Sequence, residues 1–201
     1  MARKITDKMF AFIDNKLKNN GAAQLAITSG LTTKVQAEKI KHARDLMIYA
    51  AEACVGIVEQ GGNNKGLYIV ELQKTVDASA DQEPYCMAAV QTFIAYVEKK
   101  INITSPVYAS EHCMTVFRST SKSQRVVNIP APGAIIIWKN GSTDSGHTGL
   151  VLDFQGVNKK QETLEANTGS GNMRDGDGIY IKQRSKTKDG KLVIQGYLRP
   201  F

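Results

Sequence analysis

The apolar positions in the first half of the chain recur at helical spacing. One stripe covers residues 4–18, and Asn19-Asn20-Gly21 is predicted to end that helix. A second stripe, capped by Thr32 or Thr33, continues to the glycines at 61–62. Residues 86–99 are apolar on almost every side, which is typical of a central buried helix. The first half of the chain is therefore predicted to be mainly helical.

The pattern changes after residue 130. Short runs rich in β-branched and aromatic residues now alternate with clusters of Gly, Asn, Asp and Ser, as in antiparallel strands. The predicted strands are residues 135–138, 148–154, 163–166, 178–182 and 192–197. Helices followed by strands predict an α+β fold in which the central buried helix packs on an antiparallel sheet.

Composition and charge narrow the class of protein. Of the 201 residues, 42% are hydrophobic and 22% are charged, which are ordinary values for one folded domain. The net charge of +7 favours anionic surroundings such as the bacterial envelope. Because the basic residues are scattered rather than clustered, we expect no nucleic-acid partner.

The cysteines and the amino-terminal segment bear on where the protein acts. Cys54, Cys86 and Cys113 are too few and too irregularly spaced for a disulfide scaffold, and we expect Cys54 and Cys113 to be core thiols. The sequence contains no signal-peptide core and no apolar run of about 20 residues. We expect synthesis in the cytoplasm without a signal peptide or membrane insertion, and delivery to an extracellular target by lysis or dedicated export.

Two residues have the setting of a nucleophile and its base. Cys86 opens the buried helix just after Pro84, where the helix dipole lowers a thiol pKa and free N–H groups can hold an oxyanion. His147 stands at the start of a predicted strand, directly after a polar loop that leaves it accessible. Neither His42 nor His112 has a comparable setting.

A third polar group must fix the imidazole tautomer, and the next predicted strand contains two candidates for this role. Glu165 and Asn167 are two residues apart, so both would share one strand face and point toward His147 if the strands pair. The spacing leaves open which of them orients the imidazole.

Four motifs in order resemble a known family. The CHAP group of peptidoglycan amidases and endopeptidases, within the NlpC/P60 and papain-like cysteine peptidases, has the same order of Cys, His, Glu and Asn. The motifs in this chain are Glu-Pro-Tyr-Cys at 83–86, Pro-Gly-Ala-Ile-Ile-Ile-Trp at 132–138, Ser-Gly-His-Thr-Gly-Leu-Val at 145–151 and Glu-Ala-Asn at 165–167. The resemblance covers residues 36–201.

The resemblance implies a fold and an activity. It implies a papain-like, NlpC/P60-like hydrolase domain at residues 36–201 after an N-terminal helical extension at residues 1–35. The enzyme would cleave an amide bond of the bacterial wall peptide, as a phage endolysin, a tail-associated lysin or a delivered toxin. A delivered toxin would also have an immunity or inhibitor protein as a partner. The implied catalytic residues are Cys86, His147, Glu165 and Asn167.

Further residues are candidates for contact with the substrate. Tyr85 occupies the aromatic position before the cysteine, where the family often has Trp, and the family places substrate-facing residues near Asn64. Trp138 could border the cleft and touch a glycan, or be a core aromatic of the sheet. We expect no metal or cofactor, because the acidic loop at 175–178 lacks the oxygen ligands that a calcium loop requires.

Two other functions fit the same sequence. The chain could be a non-catalytic wall-binding module that keeps the fold, or a cysteine protease or acyl transferase that acts on proteins. Zymography with Cys86→Ser separates the first from a wall hydrolase, and the products released separate the second.

Overall fold

The computed structural model describes residues 3–126, 129–154, 160–169 and 176–201. Within these residues the fold is α+β, with six helices and an antiparallel sheet of seven strands. The helices are α1 (Asp7–Leu17), α2 (Gly21–Thr32), α3 (Gln36–Glu52), α4 (Ile69–Asp77), α5 (Cys86–Ile101) and α6 (Cys113–Ser119). The predicted α+β class is confirmed.

The first helix follows its predicted stripe, but the signal that should end it begins another helix. Thr6 caps α1 by accepting from the N–H of Met9, and Met9, Ile13 and Leu17 are buried. Asn20 then accepts a hydrogen bond from the N–H of Ala23 and so caps α2. The sequence analysis missed α2 because Asn is as good an N-cap as it is a helix stop.

The third helix is shorter than predicted. It begins after Val35 and ends at Glu52, well before the glycines at 61–62. Val58 is 41% exposed and forms an isolated bridge with Gly178 of the sheet, so it does not belong to the buried stripe. The pairing of this segment with a strand outweighs its helical spacing, which the sequence pattern does not reveal.

The strands form one sheet in which non-neighbouring segments of the chain pair. They are β1 (Arg125–Val126), β2 (Ile135–Asn140), β3 (Gly146–Asp153), β4 (Lys160–Thr168), β5 (Gly178–Ser185), β6 (Lys188–Asp189) and β7 (Leu192–Leu198). Their order is β1, β7, β2, β3, β4, β5, and β6 pairs with β7. All five predicted strands are confirmed. Four of them extend beyond their predicted bounds, whereas β3 begins two residues earlier and ends one residue earlier.

The core is built around α5, which is buried along nearly its whole length and packs against β3, β4, α3 and α4. Residues on alternate positions of the strands, such as Ile135 and Leu150, join this helical cluster. The intervening positions, such as Ile136 and Trp138, form a smaller cluster on the other face of the sheet. Helices α1 and α2, within residues 1–35, contribute to the larger cluster. No helix in the described ranges is long and apolar enough to cross a membrane.

Candidate active site

Cys86 is the first residue of α5, as the sequence predicts. Tyr85 precedes it as the N-cap residue and makes no side-chain cap hydrogen bond, so the first turn keeps free N–H groups. Cys86 forms no disulfide, and only 6% of the residue is exposed. The nucleophile candidate therefore lies at the N-terminus of the most buried helix.

The surroundings of Cys86 favour the thiolate. A hydrogen bond from the thiol of Cys113 lowers the pKa of Cys86 most, and the burial of the sulfur opposes this. The hydrogen bond and positive charge of His147 and the N–H of Met87 lower it further, so the pKa of Cys86 is well below its ordinary value. The sulfur can thus carry negative charge at neutral pH.

His147 lies on β3 and is fixed on two sides. Its Nε2 lies 2.8 Å from Oε2 of Glu165, and its ring stacks on Trp138 at 5.6 Å between centroids. Because Nε2 is occupied by the carboxylate, Nδ1 is the ring nitrogen left for Cys86. Trp138 pairs with His147 across β2 and β3, so the stacking follows from the strand register.

Glu165 is completely buried, and its two oxygens are fully engaged. Arg184 donates to both, from Nε to Oε1 at 2.8 Å and from Nη2 to Oε2 at 2.6 Å. Thr163 donates to Oε1 at 2.6 Å. Burial raises the pKa of Glu165, but Arg184 and His147 outweigh it and hold the pKa well below its ordinary value. The group is a carboxylate at any neutral pH.

A glycine on β3 makes room for this carboxylate. Gly149 pairs with Glu165, and a Cβ at Gly149 would lie 2.7 Å from Cγ of Glu165 and 2.6 Å from the carbonyl oxygen of Leu164. Such contacts are too short for any side chain. The absence of a side chain at this position therefore lets Glu165 extend along the sheet to His147.

The charges around His147 favour the imidazolium. Burial is the largest single effect and lowers the pKa of His147, but hydrogen bonds to Cys86 and Glu165 and their negative charges together raise it to about 10. The contacts of the site therefore favour a thiolate beside an imidazolium, the pair of charges that activates a cysteine nucleophile.

An open cleft of about 920 Å³ lies over His147. Its polar lining is mostly uncharged: Asn63, Asn64, Asn140, Ser142, Thr143, Ser145, Asn167 and Thr168. Lys191 adds positive charge, whereas the charge of Arg184 is paired with Glu165 and Asp189. No carboxylate is among the described residues that line the cleft. The cleft can thus hold a chain of amides and hydroxyls that carries negative groups.

The structure separates the two candidates for the orienting residue. Glu165 contacts the imidazole, whereas Asn167 lies in a β-bulge with a φ of 53° and lines the cleft instead. The prediction that both share one face assumed an unbroken strand. The bulge adds a residue and redirects Asn167.

The three predicted substrate contacts have different surroundings. Asn64 lines the cleft, and its Nδ2 donates to the carbonyl of Gln82 at 2.9 Å. Tyr85 and Trp138 are completely buried and do not line the cleft. Trp138 instead supports the ring of His147.

Sequence reasoning missed three residues that contact the site. Arg184 lies beyond the predicted end of its strand, although an extension of the period-2 pattern would have included it. Thr163 is on the same face as Glu165, two positions before it. Cys113 is buried as predicted, but its Sγ lies 3.7 Å from Sγ of Cys86, a contact that no local pattern indicates.

The described residues contain no group of three or more His, Cys, Asp or Glu side chains that could hold a metal ion. Asp175 of the acidic loop considered above lies outside the described residues. Comparisons with protein-family models, curated proteins and solved structures gave no match.

Arg184→Gln should lower the free energy of unfolding by about 3–5 kcal/mol, because it leaves the buried Glu165 carboxylate without its closest cation. Denaturant unfolding measures this loss. Gln183→Ala is the control, since Gln183 is exposed on the same strand and should cost less than about 0.5 kcal/mol. Equal losses in the two variants would contradict the role of Arg184.

Proposed function

We propose that this protein is a peptidoglycan hydrolase with a papain-like fold of the CHAP type, in which Cys86 is the nucleophile. The observation that carries the proposal is that His147 interacts with Cys86 on one side and bonds to the buried Glu165 carboxylate on the other. The four ordered motifs support the family assignment.

The first half of the reaction forms a thioester. The thiolate of Cys86 attacks an amide carbon, and the carbonyl electron pair moves to oxygen. The imidazolium of His147 then gives its proton to the departing amine as the carbon–nitrogen bond breaks. We expect free N–H groups in the first turn of α5 to hold the oxyanion.

The second half releases the acyl group. His147, now neutral, removes a proton from a water molecule that attacks the thioester. The carbon–sulfur bond breaks, the new carboxyl product leaves, and Cys86 and His147 return to the thiolate and imidazolium. Glu165 stays ionised throughout, because it holds the ring and stabilises its positive charge.

The cleft supports a wall peptide as the substrate. Its amide and hydroxyl side chains match the repeated amides of a peptide, and Lys191 suits the free carboxylates that stem peptides carry. The net charge of +7 would add a general attraction to an anionic envelope. An endolysin, a tail-associated lysin and a delivered toxin are all settings for this activity.

Cys86→Ser should lower the rate of wall hydrolysis by about 10³-fold or more, because a hydroxyl in this site is not ionised. Purified peptidoglycan is incubated with each protein, and soluble muropeptides are analysed by mass spectrometry. A free lactyl group indicates an amidase, and a cut stem or cross-link indicates an endopeptidase.

Cys54→Ala is the matched control, since Cys54 is a buried thiol just after α3 that donates a hydrogen bond to the carbonyl of Ala50. It should retain wild-type activity. Clearing of the wall by Cys86→Ser at the wild-type rate would contradict a cysteine mechanism. Wall binding without any release would indicate the binding module, and release of amines from proteins alone would indicate the protein-directed enzyme.

The activity should persist to an unusually alkaline limit. His147 must be protonated to release the amine, and its pKa of about 10 places the alkaline limb near that pH. Glu165→Gln removes a hydrogen bond and a charge that raise this pKa, so the limb should move to lower pH. A pH profile of kcat/KM measures the shift.

Glu162→Gln is the control for this profile, because Glu162 lies on the same strand but bonds to the exposed Gln183. Its alkaline limb should coincide with that of the wild type. An unchanged limb in a folded Glu165→Gln protein would show that Glu165 does not set the ionisation of His147.

A further inference from the structure

A second thiol lies against the proposed nucleophile, and it forms no covalent bond in the proposed hydrolysis. Sγ of Cys113 is 3.7 Å from Sγ of Cys86, and both residues are buried and free. The two cysteines are 27 residues apart and each begins a helix, Cys86 at α5 and Cys113 at α6. Their contact is therefore a product of tertiary packing.

The backbone before His147 holds Cys113 in this position. A Cβ at Gly146 would lie 3.0 Å from Cβ of Cys113 and 2.6 Å from the carbonyl oxygen of Trp138. Only a glycine permits this close approach of α6 to β3. The same packing thus places the second thiol beside both Cys86 and the strand that carries His147.

We propose that Cys86 and Cys113 form a reversible disulfide when the protein meets a peroxide, so that Cys113 is a resolving thiol for the active-site cysteine. The inference rests on the proposed function in one respect. The proposed function requires an amide carbonyl to reach Cys86, and any path that admits this group also admits a molecule as small as hydrogen peroxide.

The chemistry balances with peroxide as the oxidant. The thiolate of Cys86 attacks one peroxide oxygen, the oxygen–oxygen bond breaks, and protonation of the departing oxygen gives water and a sulfenic acid. Cys113 then attacks the sulfenic sulfur and a second water leaves as the disulfide forms. A dithiol such as dithiothreitol supplies two electrons and two protons to restore both thiols.

The geometry favours this pair over the third cysteine. The sulfurs must approach by about 1.7 Å to reach the disulfide length of about 2.05 Å, and each belongs to the first residue of its helix. Cys54 is completely buried, burial raises the pKa of its thiol, and its Sγ donates to the carbonyl of Ala50. The pKa of Cys113 is also raised, chiefly by its hydrogen bond to the Cys86 thiolate, and this cause is lost once Cys86 is a sulfenic acid. The disulfide would remove the nucleophile and stop hydrolysis until it is reduced.

The test treats the folded protein with hydrogen peroxide and follows mass, peptide linkage and wall hydrolysis. The wild type should lose about 2 Da, yield one cross-linked peptide pair containing Cys86 and Cys113, and recover its activity in dithiothreitol. Cys54→Ala should behave in the same way. Cys113→Ala should instead gain about 32 Da at Cys86, which becomes a sulfinic acid, and dithiothreitol should not restore its wall hydrolysis.

Cys113→Ser is a second variant in case the alanine packs poorly, and it should also give no cross-link. The proposal is overturned if the wild type accumulates sulfinic acid as fast as the Cys113 variants, or if any cross-link involves Cys54. The mass readout does not need hydrolysis. A protein that forms the 86–113 link but never degrades peptidoglycan would therefore retain this inference and lose the proposed function.

Discussion

The burial of the Glu165 carboxylate is the constraint on which the rest of the site depends. A charge without solvent must be paired, and here Arg184, Thr163 and His147 supply all of its partners. Positive and negative charges alternate through the site. The Arg184 guanidinium contacts the Glu165 carboxylate, which contacts the His147 imidazolium, and the imidazolium interacts with the Cys86 thiolate. Each charge lowers the cost of burying the next, so loss of one member should disturb the ionisation of the others.

Most of the fold follows from local patterns in the sequence. The all-round apolar character of residues 86–99 predicts the central helix α5, and β-branched runs predict the five longer strands. The errors lie where one residue type has two uses, as at Asn20, or where a segment pairs with a distant strand, as at Val58. Strand order is a tertiary property, and the hydrophobic pattern does not contain it.

The residues of the candidate site also divide into those that local sequence patterns predict and those that only the folded structure reveals. Cys86 and His147 could be proposed because a helix start and a strand start are visible in sequence, and Glu165 because strand alternation aligns it with the histidine. Arg184 and Cys113 could not, since their roles arise from side chains that meet only after folding. The bulge at Asn167 shows the limit of alternation, because one extra residue reverses the expected face.

The pH dependence of Cys86 alkylation by iodoacetamide tests the central claim most directly, with the modified residue identified by peptide mass spectrometry. The account predicts that the wild-type rate reaches half its maximum well below the ordinary thiol pKa of about 8.5. His147→Ala should raise that midpoint by about one unit or more, whereas His42→Ala on α3 should leave it in place. Identical midpoints for the wild type and His147→Ala would contradict the thiolate–imidazolium pair.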